Sequence, residues 1–321
     1  MNIGIVGYGN VGKAVERIAC LSNDIKLTGI FTRRNPAALV SPFGSIFYHQ
    51  MELNDFKDKI DVLLLCQGSA TDLVPLALET SKNFNTVDSF DNHGKMREYV
   101  VALDEVAKEY GHLAVVGAGW DPGLFSLSRS LFEGVLGGES VTFWGKGVSQ
   151  GHSEAIRRID GVKMAVQYTI PKEDAVQLAY EGNGGGLASY ERHRRVCYVV
   201  VEENCDKKAV AEKIKNMPNY FSGYETEVYF VDEEEFMTSH RTMSHGGRVI
   251  WAGNTGNHFA NIELRLNAQS NPDFTASVLV AYAKCAHRLY KRGERGAKTI
   301  LDIPMTALFD ADRLDIIEKY L

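Results

Sequence analysis

The chain has 321 residues, 35 Lys and Arg against 41 Asp and Glu, a net charge of -6 and 45% apolar side chains. That length calls for about two domains, and the mild acidity lacks the electrostatic footprint of a nucleic-acid binder. The longest apolar run, around Val62 to Cys66, falls far short of the roughly 20 residues that a membrane-spanning helix needs. The start, Met1-Asn2-Ile3-Gly4-Ile5-Val6, lacks the basic segment and cleavage site of a signal peptide. Cys20, Cys66, Cys197, Cys205 and Cys285 are odd in number and scattered, without Cys-x-x-Cys, which favours reduced thiols in a cytoplasm over disulfides or structural zinc.

Ile3, Ile5 and Val6 make a short apolar run typical of a buried parallel strand. The turn Gly7-Tyr8-Gly9-Asn10-Val11-Gly12 follows, then a helix over 13–19 with Val11, Val15 and Ile18 on one face. Further strands are predicted over 25–31, 62–66, 86–90 and 113–117, with helices over 73–83 and 95–110 between them. Such alternation implies a doubly wound, parallel Rossmann sheet as domain 1–120. Beyond Trp120 strands are predicted over 141–144, 164–170, 196–201, 225–231, 248–251 and 258–266. In the last, Ala260, Ile262, Leu264 and Leu266 alternate with Asn261, Glu263, Arg265 and Asn267, the pattern of a sheet with one face buried. Residues 121–270 therefore read as an α+β domain with a mostly antiparallel sheet. Asn183-Gly184-Gly185-Gly186 is its flexible loop, and Asn271-Pro272-Asp273-Phe274-Thr275 punctuates the chain before an amphipathic helix over 276–291. The segment 271–321 is expected to pack back on the first domain.

Gly7, Gly9 and Gly12 fit G-x-G-x-x-G in the strand–turn–helix context that the motif requires. Gly7 allows the tight turn, Gly9 lets backbone approach a pyrophosphate, and Gly12 permits close helix–strand packing. The helix N-terminus supplies unpaired N–H groups; the bland alternative is a glycine-rich turn without a ligand. Where an NAD enzyme would carry an acid to hold the ribose hydroxyls, this chain has Phe31-Thr32-Arg33-Arg34. A hydroxyl and two guanidinium groups suit a 2′-phosphate, so the expected cofactor is NADP, although a solvated basic turn has the same composition. Cys66-Gln67-Gly68-Ser69-Ala70-Thr71 closes the third strand at the end where ligands bind, and its small residues fit beside a ribose and nicotinamide. Cys66 has no His partner nearby and reads as an inert buried thiol.

Asp91 and Asp121 sit at the ends of the fourth and fifth predicted strands. Paired carboxylates hold an ammonium group or shuttle its proton; helix N-capping is the ordinary alternative, and Asp121 before Pro122 suits it. Ser149-Gln150-Gly151-His152-Ser153-Glu154 is a polar turn into a helix, suited to backbone contacts with a carboxylate. Arg192-His193-Arg194-Arg195 is a basic run, most simply a solvated face. His245 follows His240 by five residues, the wrong spacing for two metal ligands on a helix.

Beside this reading of the residues stands a family resemblance. Gly7-Tyr8-Gly9-Asn10, Phe31-Thr32-Arg33-Arg34, Gly68-Ser69-Ala70-Thr71-Asp72, Asp91-Asn92-His93 and Gly119-Trp120-Asp121-Pro122-Gly123 resemble the cofactor half of the meso-diaminopimelate D-dehydrogenase family. Phe143-Trp144-Gly145, Ser149-Gln150-Gly151-His152-Ser153, Ala165-Val166-Gln167-Tyr168-Thr169, Met217-Pro218, Gly223-Tyr224-Glu225, His245-Gly246-Gly247 and Asn271-Pro272-Asp273-Phe274-Thr275 resemble its substrate half. The resemblance implies NADP-dependent, reversible oxidative deamination at the D-centre of meso-2,6-diaminoheptanedioate, yielding L-2-amino-6-oxoheptanedioate, ammonia and NADPH, as a step of lysine biosynthesis.

It further implies that the cofactor contacts residues 7–12 (Gly7, Tyr8, Gly9, Asn10, Val11, Gly12), Thr32, Arg33, Arg34, Cys66, Gln67, Gly68 and Ser69. Ser89, Phe90, Asp91, Ala118, Gly119, Trp120, Asp121 and Pro122 would complete that set. Asp91 and Asp121 would hold the D-centre ammonium, with Trp120, Trp144 and the Gln150-Gly151 turn lining the substrate. Thr169, Arg195, His245 and Asn271 would grip the distal end, Arg195 being the least secure because Arg192 and Arg194 are so near. Asp121 or Asp91, with His152 nearby, would assist proton transfer. The family also implies a homodimer formed through the second domain's sheet, while the cysteine and histidine spacings point to no metal. The rival readings are another NADP-dependent amino-acid or homoserine-type dehydrogenase, a dihydrodipicolinate-type reductase, or a catalytically silent NADP-binding sensor.

Overall fold

Strands whose residues are apolar at every position must be covered on both faces, and this chain meets that demand with a parallel sheet. The computed structural model describes all residues except Ala70 and Thr242. In chain order the first elements are β1 (Asn2–Val6), α1 (Asn10–Leu21), β2 (Lys26–Thr32), β3 (Phe47–His49), β4 (Val62–Leu65), α2 (Leu73–Thr80), β5 (Thr86–Asp88), α3 (Met96–Glu109), β6 (Leu113–Val116) and α4 (Leu124–Leu136). Then come β7 (Ser140–Trp144), β8 (Gly147–Val148), α5 (Gln150–Arg157), β9 (Val162–Pro171), α6 (Glu173–Tyr180), α7 (Ser189–Arg192), β10 (His193–Val201), α8 (Lys207–Lys215), β11 (Thr226–Phe230), α9 (Glu233–Ser239), β12 (His245–Thr255) and β13 (His258–Ala268). The last are α10 (Asn271–Lys291), β14 (Gly296–Thr299) and α11 (Arg313–Tyr320). Two compact units result, one of residues 1–127 with 272–321 and one of residues 128–271.

The first unit holds a seven-stranded sheet in the order β14-β6-β5-β4-β1-β2-β3, with every pairing parallel. Alternation along each strand divides its side chains between two cores. Ile3, Ile5, Leu64 and Val115 join Val15 of α1 and Leu279, Tyr282 and Ala286 of α10 on one side. Val6, Leu63, Leu65 and Val116 join Phe31 and Leu103 on the other. β3 and β14 are additions that the sequence pattern did not signal: Gly296-Ala297-Lys298-Thr299 has no apolar period and becomes a strand only by lying along β6. The residues expected to punctuate the chain at 271–275 are instead the first turn of α10. Pro272 is tolerated there because the N–H it lacks would have no intrahelical partner.

The second unit contains a four-stranded sheet, β11-β10-β9-β8, and a three-stranded sheet, β13-β12-β7. Only β10–β11 is parallel among their pairings. Ala175, Val176 and Ala179 of α6 pack on Val141, Phe143 and Ile250. The alternation in β13 is present, but its apolar face is not buried within the chain. Ile262 and Leu264 pair with Trp251 and Val249, yet they remain 39% and 38% exposed while their partners are covered. Among the described residues no helix is long and apolar enough to cross a membrane.

Candidate active site

At the nucleotide turn each glycine has a distinct physical reason. Gly7 has φ +95°, and its N–H donates to the Phe31 carbonyl at 2.9 Å. A Cβ on Gly12 would lie 2.1 Å from the Gly7 carbonyl oxygen. The chain itself therefore requires these two. A Cβ on Gly9 would meet nothing within 4 Å, so open space stands before the first turn of α1. No side chain caps that turn and no acid lies in it, which leaves its N–H groups for an anion. Asn10 and Val11 are its first residues. Tyr8 is anchored below, its hydroxyl donating at 2.6 Å to the fully buried Glu16 carboxylate, which also accepts from Ser41.

A cleft of about 320 Å³ opens beside the turn, with Thr32, Arg33, Arg34, Cys66, Gln67 and Gly68 among its walls. Thr32 Oγ1 accepts the Arg34 N–H at 3.1 Å, and the Arg34 guanidinium donates to the Tyr8 carbonyl at 2.6 Å. Arg33 pairs at 2.6 Å with Asp72, the last residue of the block Gly68 to Asp72 and itself a wall of the cleft. Asp72 occupies the N-cap position of α2 without capping it, and the Arg33 hydrogen bond holds its carboxyl below the usual range. Gln67 bonds to Gln50 at 2.9 Å. Burial pushes the Cys66 thiol up to about 12, so it stays protonated and inert. Ser69 follows on the same loop, and Ala70 lies outside the described residues.

Neither acid of the candidate pair stands at a helix N-cap position. The 3-10 turn that leads into α3 has Asn92 at its cap position, and α4 begins at Leu124, three residues beyond Asp121. Asp91 is exposed, whereas the Asp121 side chain is shielded completely, with His93 Nε2 4.0 Å from its Oδ1. A Cβ on Gly123 would lie 1.6 Å from the Gly119 oxygen, so the turn carrying Trp120, Asp121 and Pro122 closes tightly on itself.

Behind both loops stands Asp88, which sequence reasoning missed. Its Oδ1 accepts N–H groups from Phe90 (2.9 Å) and Gly117 (3.3 Å), and its Oδ2 accepts the Tyr99 hydroxyl at 2.6 Å. The Asp88 carbonyl accepts the Ala118 N–H at 2.8 Å. One side chain thus braces the loop of Ser89, Phe90 and Asp91 and the loop of Ala118 and Gly119. Burial outweighs these bonds and raises its carboxyl to about 6. A folded-state value above the unfolded one gives stability that is fully present below about pH 4 and is lost as pH rises through about 6. That change is worth at most about 3 kcal/mol. Asp88→Asn should remove this slope, so that denaturant titrations between about pH 4 and pH 7 show wild type losing stability relative to the variant. Parallel curves would contradict the assignment.

In the second unit, strand register brings the distal candidates together. Arg195 lies opposite Thr169 across β10–β9, and Thr169 lies opposite Gly147 of β8. A Cβ on Gly147 would come within 2.5 Å of the His245 ring, and one on Gly145 within 2.1 Å of the Thr169 oxygen. Trp144, Thr169, Arg195 and His245 therefore converge. Arg195 is 8% exposed, and its Nη1 donates to Thr169 Oγ1. The Tyr224 ring lies 4.2 Å from the guanidinium carbon, and the buried Arg195 Nε has no hydrogen-bond partner among the described residues. A buried cation with an orphaned donor is costly in an empty protein and well matched to an anionic ligand.

Arg194 is committed to Glu227; Arg192 donates to the Thr142 carbonyl and also keeps an unpartnered Nε, so the register opposite Thr169, and not the orphaned donor alone, singles out Arg195. Gln150 and Gly151 open α5, and a Cβ on Gly151 would meet nothing within 4 Å. His152 Nδ1 shares a hydrogen bond with Ser149 Oγ at 2.6 Å, and burial, with the nearby Arg195 charge, pushes its pKa down to about 4. The Asn271 N–H bonds to the Met243 carbonyl at 2.9 Å.

The family described as diaminopimelic acid dehydrogenase C-terminal domain matches residues 119–270. A meso-diaminopimelate D-dehydrogenase of Ureibacillus thermosphaericus is 47% identical over 323 residues, spanning 100% of this chain and 99% of the relative. The chain belongs to the meso-diaminopimelate D-dehydrogenase family. Solved members of similar fold include a six-substitution variant from Clostridium tetani E88 with DAP (46% identity, TM-score 0.92, 100% of this chain and 99% of that one). An engineered D-amino acid dehydrogenase bound to NADP+ also superposes (39% identity, TM-score 0.89, 100% and 99%).

Proposed function

We propose that the chain catalyses NADP-dependent, reversible oxidative deamination of the D-centre of meso-2,6-diaminoheptanedioate. The products are L-2-amino-6-oxoheptanedioate, ammonia and NADPH, and the reaction serves lysine biosynthesis. The observation that carries the reading is Arg195, a buried guanidinium whose Nε lacks a partner and which therefore fits a carboxylate.

The residues fit NADP: open space at Gly9, uncapped N–H groups of α1, and Arg33 and Arg34 beside the cleft. When bound, the nicotinamide takes the hydride and supplies the redox chemistry. The protein's part is orientation and proton handling. The D-centre ammonium must lose a proton before hydride leaves, and the shielded Asp121 carboxylate, with Asp91, is the assigned acceptor. Thr169, Arg195, His245 and Asn271 are assigned to the distal amino-acid end, with Trp120, Trp144 and the Gln150-Gly151 turn along the substrate. The Clostridium tetani variant supports this set. Its substituted Gln, Thr, Arg and His have the spacing of Gln150, Thr169, Arg195 and His245, its Pro falls at Ser244, and its Asn falls one residue from Asn271.

The open face at Ile262 and Leu264 supports a homodimer through the three-stranded sheet, and five free thiols suit a reducing cytoplasm. Initial rates with the meso, LL and DD isomers, each with NADP and NAD, test the whole reading. Turnover should be fastest with meso and NADP and far slower with the DD isomer or with NAD, and Arg34→Ala should raise KM for NADP about 10- to 100-fold while leaving KM for NAD unaffected. No activity with the meso isomer and NADP would overturn it.

A further inference from the structure

The wall at Trp144 and the clamp at Arg195 are joined by residues so far without a role. His193 is 1% exposed. The Trp144 backbone N–H donates to His193 Nε2 at 2.9 Å, which fixes the tautomer, so that Nδ1–H donates to the Ser189 carbonyl at 3.0 Å. The imidazole also stacks on the Trp144 indole, with centroids 5.5 Å apart and planes 23° apart. Ser189 Oγ accepts the Tyr224 hydroxyl at 3.0 Å, and the Tyr224 ring lies against the Arg195 guanidinium. One unbroken run, Trp144–His193–Ser189–Tyr224–Arg195, thus links the two ends of the second unit's constellation. It is built mainly from planar groups with few rotors. A histidine that merely filled space would not need both nitrogens spent on the backbone of two different segments.

We propose that His193, acting through Ser189 and Tyr224, is a positioning residue that sets the separation of Trp144 from Arg195 and thereby the length and isomer of substrate accepted. The proposal rests on the reading that Trp144 and Arg195 contact the substrate. Discrimination between isomers depends on both ends being held at once, because an end that misses its partner leaves a buried polar group unmatched.

The side-chain inventory supplies the test. Glutamine can place an acceptor where Nε2 stands, whereas asparagine reaches only the Nδ1 position and leaves the Trp144 N–H without one. In His193→Asn, kcat/KM for the meso isomer should fall at least about tenfold, chiefly through KM. The meso-to-DD ratio of kcat/KM should fall by a similar factor, with KM for NADP unchanged. His193→Gln keeps an acceptor for the Trp144 N–H but gives up the Nδ1–H bond to the Ser189 carbonyl, and should lower the ratio severalfold, as cutting the run at any other link does. Tyr224→Phe keeps the ring on Arg195 but cuts the link, and should lower the ratio severalfold. The double variant with His193→Asn should lose no more than His193→Asn alone, because both cut one chain. The ratio compares two substrates on one sample, so partial misfolding cancels; if His193→Asn cannot be made, Tyr224→Phe decides alone. An unchanged ratio in His193→Asn, in His193→Gln or in Tyr224→Phe, or additive losses in the double variant, would overturn the proposal. Wild type without meso turnover would instead overturn the reading of the site.

Discussion

Asp121→Asn should lower kcat for the meso isomer by about 10²- to 10⁴-fold while KM for NADP and thermal stability stay near wild type. The side chain is completely shielded, so its charge acts in a low dielectric, where the same separation is worth several times more than in water. Asparagine keeps the shape and can still accept a hydrogen bond from the ammonium, but it cannot take a proton. Asp91 is exposed, and Asp91→Asn should therefore cost less. Steady-state rates across pH for both variants check this order. Full turnover of Asp121→Asn with an unchanged pH profile would remove Asp121 from proton transfer.

Arg195→Met should lower kcat/KM for the meso isomer by about 2–5 kcal/mol, roughly 30-fold to a few thousandfold, mostly through KM. A buried carboxylate would be left without its cation, the expensive half of breaking such a pair. Stability should move the other way. Without substrate, Arg195 is a buried charge with an orphaned Nε, and burial already draws its pKa down, so an apolar side chain of similar length should leave Tm unchanged or raise it. A variant that lost both stability and activity would show Arg195 to be a structural cation. Differential scanning fluorimetry beside kinetics separates the two outcomes.

Local features of this chain were legible in the sequence and long-range ones were not. The turn at Gly7, Gly9 and Gly12 and the apolar strands around it carry their own patterns, because neighbours along the chain produce them. β14 has no such pattern, since its ladder is supplied by β6, more than 170 residues earlier in the chain. Asp88, and the pairing of Asp72 with Arg33, gave no signal because the Tyr99, Gly117 and Arg33 groups meet these acids only after folding. Capping looked plausible for Asp91 and Asp121 because Asp favours that position, and only the helix starts at Met96 and Leu124 decide otherwise. Arg195 could be told from Arg192 and Arg194 only by cross-strand register. His193 sat in plain view inside a basic run, but its neutral, doubly bonded ring contradicts the surface reading of that run.

The interrupted first unit has a consequence for synthesis. Its sheet edge at β6 and one of its two cores wait for residues 272–321, which follow the whole of the second unit in the chain. During translation the nucleotide-binding half therefore emerges early but cannot close. It must hold an open strand edge and an uncovered apolar layer until α10 and β14 leave the ribosome. The last strand and the covering helix of the first unit are thus added only after the whole of the second unit has been made.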